Sequence, residues 1–75
     1  MKKRLSELSC GESGFIIDIA EDIKQKIAGM GVRVGKELKV ISKQPLKGPI
    51  VVMIDESKTS LSQKIADKIA VEIKE

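Results

Sequence analysis

Residues 29–38, GMGVRVGKEL, contain three glycines within seven residues, directly after a segment with helical periodicity. Glycines at a helix end can hold phosphate, so a nucleotide-binding loop is one interpretation. A dinucleotide fingerprint, however, needs the spacing G-x-G-x-x-G at the start of a helix. Here the spacing is G-x-G-x-x-x-G, and the glycines follow the helix instead of opening it. They therefore lie at the C-terminal end of the helix, whose negative partial charge repels phosphate. The segment instead predicts that Gly31 ends a helix and that Gly35 turns the chain into a strand.

The helix before these glycines is predicted over residues 21–31, EDIKQKIAGMG. Its apolar residues recur at helical spacing and form a single stripe. They are Ile23, Ile27 and Met30. Asp18 and Glu21 have the spacing of a capping box, which predicts a side-chain cap at the start of the helix.

Strand patterns occur on both sides of this helix and at the end of the chain. The segments are residues 15–20, 37–41, 50–55, 59–61 and 69–73. In the second segment, residues 37–41, Ile41 interrupts the alternation, which predicts a bend. The third segment, residues 50–55, is a continuous apolar run, which predicts a strand buried on both faces. A short helix after the fourth segment has Ser60 or Ser62 as its cap. The residues before the first segment are predicted to be a lead-in that ends in a turn.

These elements follow the order β-α-β-β-β-α-β, with short strands and hairpin-length connections. Parallel strands need crossovers of about a dozen residues or more, and only the first helix is long enough to provide one. The pattern therefore predicts one domain over residues 1–75, mostly β with short helices, folded as a small and mainly antiparallel barrel.

The composition excludes several classes of site. The chain has no histidine and a single cysteine, Cys10, so it can form neither a histidine-dependent catalytic site nor a zinc site by itself. We expect no catalytic residue, no cofactor and no metal ligand. Direct iron sensing through Asp55 and Glu56 is the alternative, although a polar turn explains these two carboxylates more simply.

The remaining expectations concern location and surface. Cys10 is expected to be a partly buried apolar residue, and a single cysteine favours a reducing, cytoplasmic compartment. No apolar run is long enough to span a membrane, so we expect no membrane insertion. The net charge of +3 leaves nucleic-acid binding as an alternative. Single-strand binders stack bases on aromatic side chains, and the only aromatic residue, Phe15, is expected in the core.

From Leu5 onward the chain resembles the FeoA family, the small cytoplasmic component of bacterial and archaeal ferrous iron uptake systems. The motifs follow the family order along nearly the whole chain. They are Leu5 and Leu8, Gly11-Glu12-Ser13-Gly14, Gly29-Met30-Gly31 with Gly35, Pro45 with Gly48-Pro49, and Leu61, Ala66 and Ile69-Ala70-Val71. The chain departs from the family pattern at Lys26, where arginine is usual, and at Val34, where proline is usual.

The resemblance implies an SH3-like small barrel, a fold that also forms a C-terminal domain of iron- and manganese-dependent repressors. It implies a non-enzymatic accessory or regulatory protein of ferrous iron uptake. The implied partner is the membrane permease that carries a cytoplasmic GTPase domain. A metalloregulator-type interaction module is the alternative function, and self-association stays open.

The candidate contact with such a partner is the loop PLKGP, residues 45–49. Leu46 is an apolar residue between two prolines, and a preordered apolar anchor loses little entropy on docking. Lys43 and Lys47 lie beside it and could meet an acidic partner surface. The alternative is that Leu46 folds back and covers the rim of the barrel.

Overall fold

The computed structural model describes residues 1–46 and 48–74. The strands are β1 (Lys2–Arg4), β2 (Ser13–Ile19), β3 (Glu37–Lys43), β4 (Ile50–Ile54), β5 (Ser57–Leu61) and β6 (Ile69–Ile73). The helices are α1 (Glu21–Ala28) and α2 (Gln63–Ala66), and a single 3₁₀ turn, η1, covers Leu5–Glu7. The predicted order β-α-β-β-β-α-β is confirmed from β2 onward. The predicted lead-in differs, because it contains β1 and η1.

The six strands form one sheet in the order β1-β6-β2-β3-β4-β5, and every neighbouring pair is antiparallel. The last strand, β6, therefore lies between the first two. This topology confirms the predicted antiparallel architecture. Among the described residues, neither α-helix has the length and apolarity needed to cross a bilayer.

The core between the sheet and the helices is entirely aliphatic. Its buried side chains are Leu5, Leu8, Ile16, Ile19, Ile23, Ile27, Val32, Leu38, Val40, Ile50, Val52, Ile54, Leu61, Ala66, Ile69 and Val71. The η1 turn contributes Leu5 and places Leu8 beside it, so the spacing of these two leucines marks a buried turn. Strand β4 is buried on one face only, because Val51 and Met53 are partly exposed, so the predicted burial of this strand on both faces is wrong.

The helix ends agree in part with the capping predictions. Gly31 has a φ of +84°, the left-handed conformation expected of the residue that ends a helix. The predicted capping box at the start of α1 is wrong, since Ala20 is the N-cap and no side chain accepts a hydrogen bond there. Of the two serines predicted to cap α2, Ser62 does so, and its Oγ accepts the backbone N–H of Ile65 at 3.2 Å.

Three single residues lie closer to solvent than predicted. Phe15 is 42% exposed, because the pleat of β2 directs Ile16 into the core and its neighbour to the outer face. Met30 lies two residues beyond the end of α1 and is exposed, so only Ile23 and Ile27 of the predicted stripe are buried. Cys10 is exposed rather than partly buried, and its Sγ donates to the carbonyl oxygen of Ile41 at 3.3 Å.

The predicted bend at Ile41 is confirmed as a β-bulge. The pairing of β3 with β4 runs from Val40 opposite Val52 directly to Ser42 opposite Val51, so Ile41 is the extra residue. A bulge shifts the alternation of its strand by one position. The residues of β3 after Ile41 therefore face the opposite side from the one that a regular strand would give them.

We predict that Gly14→Ala lowers the free energy of unfolding by about 2 kcal/mol or more. A Cβ atom at Gly14 would lie 2.2 Å from the carbonyl oxygen of Glu72, so β2 and β6 would have to separate. Gly29→Ala is the matched control, because Gly29 is helical and the added atom would meet open space. It should raise the free energy by about 0.5–1 kcal/mol. Urea denaturation of both variants tests this, and equal effects would contradict it.

A second prediction concerns acid. The Lys68 ammonium hydrogen-bonds the Asp22 carboxylate and holds the pKa of Asp22 below its ordinary value of 3.8. Because this pKa is lowered by folding, its contribution to stability is present above pH 3.8 and is lost as the pH falls through the lowered value.

Asp22→Asn should therefore reduce the loss of stability between about pH 5 and pH 2, as measured by urea denaturation at each pH. Glu21→Gln serves as the control, because it removes the adjacent carboxylate, whose ion pair is with Lys24. A pH dependence that is the same in wild type and Asp22→Asn would refute the assignment.

Candidate partner-binding loop

The loop predicted to contact a partner connects β3 and β4. A backbone hydrogen bond joins its two ends, from the Gln44 N–H to the Pro49 carbonyl oxygen at 3.3 Å. Gly48 lies against the side chain of Gln44, so closely that a Cβ at Gly48 would be 2.4 Å from the Gln44 Cβ. Both prolines lie outside the strands, as predicted. The loop is therefore a compact turn with a narrow base.

Leu46 is the most exposed large apolar side chain among the described residues. It is 98% exposed, and its φ is +58°. The exposure excludes the alternative in which Leu46 folds back over the rim of the barrel. A left-handed conformation costs an L-residue with a Cβ about 1–2 kcal/mol. Because the Leu46 side chain is almost fully exposed, no burial offsets this cost.

Lys43, the last residue of β3, is engaged within the chain. Its Nζ donates to the carbonyl oxygens of Ser6, at 2.7 Å, and Leu8, at 2.9 Å. Lys47 lies outside the described residues. Contact of Lys43, Leu46 and Lys47 with a partner stays a prediction.

The role of Ser6 was not predicted from the sequence. This residue is buried, its hydroxyl donates to the Asp67 carboxylate, and its carbonyl accepts from Lys43. The leucine pair at positions 5 and 8 was the available signal, because a three-residue apolar spacing fits a short turn that holds the residues between its leucines against the core.

A shallow cleft of about 290 Å³ opens on the outer face of the sheet. It is lined by Ser13, Glu37, Leu38, Lys39, Met53 and Asp55. Each of its carboxylates already has a cation, Lys74 for Glu37 at 2.9 Å and Lys36 for Asp55 at 2.7 Å. Across residues 1–46 and 48–74, no three carboxylate or thiol side chains converge as metal ligands would.

The surroundings of Phe15 bear on nucleic-acid binding. On the outer face this ring lies directly between Glu37 of β3 and Glu72 of β6. Glu37 is paired with Lys74, and Glu72 is paired with the N-terminal ammonium. The cations beside the ring are therefore already engaged, and this position offers little attraction to a phosphate backbone.

Comparison with known proteins assigns this architecture. The sequence profile of the FeoA domain family matches residues 3–73. No protein with a curated function matches the chain in sequence. A crystal structure described as the iron uptake regulatory protein (FeoA) is 26% identical, with 99% of each chain covered and a TM-score of 0.88.

Two further structures share the fold. FeoA from Stenotrophomonas maltophilia, solved with zinc and described as a prokaryotic SH3 domain protein, is 24% identical over 96% of this chain and 89% of its own, with a TM-score of 0.76. A manganese-dependent transcriptional repressor is 22% identical over 97% of this chain, with a TM-score of 0.89. The match spans 42% of the repressor. The predicted SH3-like small barrel is confirmed.

We predict that Leu46→Gly leaves the free energy of unfolding unchanged or raises it by up to about 1 kcal/mol. Glycine adopts the observed positive φ without strain, and an almost fully exposed side chain gives up no burial. Leu46→Val should be destabilising, because a β-branched residue tolerates this conformation poorly. Thermal and urea denaturation test the pair. A loss of more than about 1 kcal/mol in Leu46→Gly would mean that the leucine packs against the barrel.

Proposed function

This chain belongs to the FeoA domain family, and on that premise we propose that it is a non-enzymatic accessory protein of ferrous iron uptake. The observation that carries the proposal is the match of the family profile to residues 3–73, which include the whole sheet except Lys2 of β1. The similar structure described as an iron uptake regulatory protein supports the same role.

The mode of action that we propose is binding in the cytoplasm to the ferrous iron permease, at its GTPase domain. The described residues offer no cluster of metal ligands, and a protein that assists transport without holding the ion must act through a partner. Both carboxylates of the outer cleft, Glu37 and Asp55, are also paired with lysines of the same chain, which leaves neither of them free for a metal ion.

The contact that we propose is the loop around Leu46. Its apolar side chain is already exposed, so docking needs no rearrangement of the barrel. The turn is closed by the Gln44–Pro49 hydrogen bond and by two prolines, which reduces the entropy that the loop would lose on binding. Burial of one leucine is worth about 1.5–3 kcal/mol, enough to change affinity by one to two orders of magnitude.

The test is capture of the permease's GTPase domain by this chain, with and without guanine nucleotide. We expect Leu46→Asn to weaken capture by about tenfold or more, since asparagine keeps the left-handed backbone but removes the apolar contact. Val34→Asn is the matched control, because Val34 is also an exposed aliphatic residue, 48% exposed in another loop.

Equal loss in both variants would mean that the surface acts non-specifically, and no loss in Leu46→Asn would remove this loop as the contact. If wild type fails to capture the GTPase domain in every nucleotide state, the proposed partner itself is wrong.

A further inference from the structure

We propose that Lys43 is a positioning residue: its ammonium group fixes the Leu46 loop against the η1 turn and so sets the direction in which Leu46 is presented. The significance of this anchor for binding rests on the proposed function. The anchor itself is a property of the isolated chain and can be tested there.

The bulge at Ile41 places Lys43 on the core-facing side of β3, although the residue itself remains exposed. Directly opposed residues of an antiparallel pair point to the same face. Lys39 is opposite Met53, on the outer face, whereas Lys43 is opposite the fully buried Ile50. Without the extra residue, Lys43 would share the outer face with Lys39 and could not reach η1.

The two carbonyl groups that accept from Lys43 lie where η1 ends. Leu8 is the C-cap of this turn, and Ser6 lies within it. Carbonyl groups at the end of a helical turn lack partners within the turn and carry partial negative charge. An ammonium at 2.7 and 2.9 Å from them makes two charge-assisted hydrogen bonds, which are stronger than neutral ones.

The η1 turn, which accepts the hydrogen bonds of Lys43, is itself held in place. Ser6 is buried, and its hydroxyl is held by Asp67, the C-cap of α2. Leu5 and Leu8 on either side are fully buried in the core. Lys43 therefore links the base of the loop to a turn that cannot move without disturbing the core.

The loop depends on its base for orientation. Lys43 and Ile50 form the last pair of the β3–β4 ladder, and beyond them the described loop residues make one backbone hydrogen bond, from Gln44 to Pro49. A contact at Lys43 acts directly next to this closing bond. Loss of the ammonium should free the loop without exposing the core.

The first experiment measures hydrogen exchange of the Gln44 amide in the isolated protein. We expect Lys43→Met, which keeps the aliphatic part of the side chain, to speed this exchange by about tenfold while the β2 and β6 amides stay protected. Lys43→Arg should restore slow exchange, because the guanidinium can donate to the same carbonyl groups. Lys39→Met is the control. Lys39 lies on the same strand, faces outward and has no ion pair among the described residues.

Unchanged exchange of the Gln44 amide in Lys43→Met would overturn the proposal.

A second measurement needs no variant. In the NMR spectrum of lysine ammonium groups, the Lys43 protons should exchange with water more slowly than those of Lys39. Equal exchange would show that the ammonium is free and would overturn the anchor even if Lys43→Met did not fold.

The last experiment measures capture of the GTPase domain of the permease. We expect Lys43→Met to weaken capture by about tenfold with the dissociation rate raised, and Lys43→Arg to restore it. Restoration by arginine together with a faster Gln44 exchange in Lys43→Met supports positioning. Weaker capture with unchanged Gln44 exchange would instead make Lys43 a direct contact and refute the proposal. If wild type does not bind the domain, the proposed function fails while the first two experiments still decide the anchor.

Discussion

The pairing of β6 with both β1 and β2 is the constraint on which the rest of the structure depends. It places the last strand between the first two and joins β1 and η1 to the remaining strands. The close approach requires glycine at position 14, where the Glu72 backbone occupies the space of a side chain. The η1 turn, and with it the carbonyl groups that receive Lys43, is held in place only once this central pairing exists.

Local signals were sufficient for much of the fold. The stripe formed by Ile23 and Ile27 predicted α1, Gly31 predicted its end, and the irregular position of Ile41 predicted the bend in β3. Each of these features depends on the spacing of residues within one element, which a sequence displays directly. The family motifs then related the order of the elements to an SH3-like barrel.

Features that depend on a partner residue distant in the sequence were not predictable. The polar strand β1 has only three residues and no apolar alternation, so its pairing with β6 leaves no local signal. Phe15 was expected in the core because it is apolar, but its position in the pleat places it outside. The hydrogen bonds of the Lys43 ammonium were also missed, because the carbonyl groups of Ser6 and Leu8 that accept them are more than thirty residues away in the chain.

The adjacency of β1 and β6 also determines how the domain responds to mechanical force. These strands run antiparallel, and the Met1 carbonyl accepts the Ile73 N–H at 2.9 Å, so the start of β1 and the end of β6 lie side by side. Tension between the ends would load the hydrogen bonds of this pair one after another, as in opening a zipper, instead of shearing them together. The domain should therefore yield at low force when pulled from its ends, however well its aliphatic core is packed.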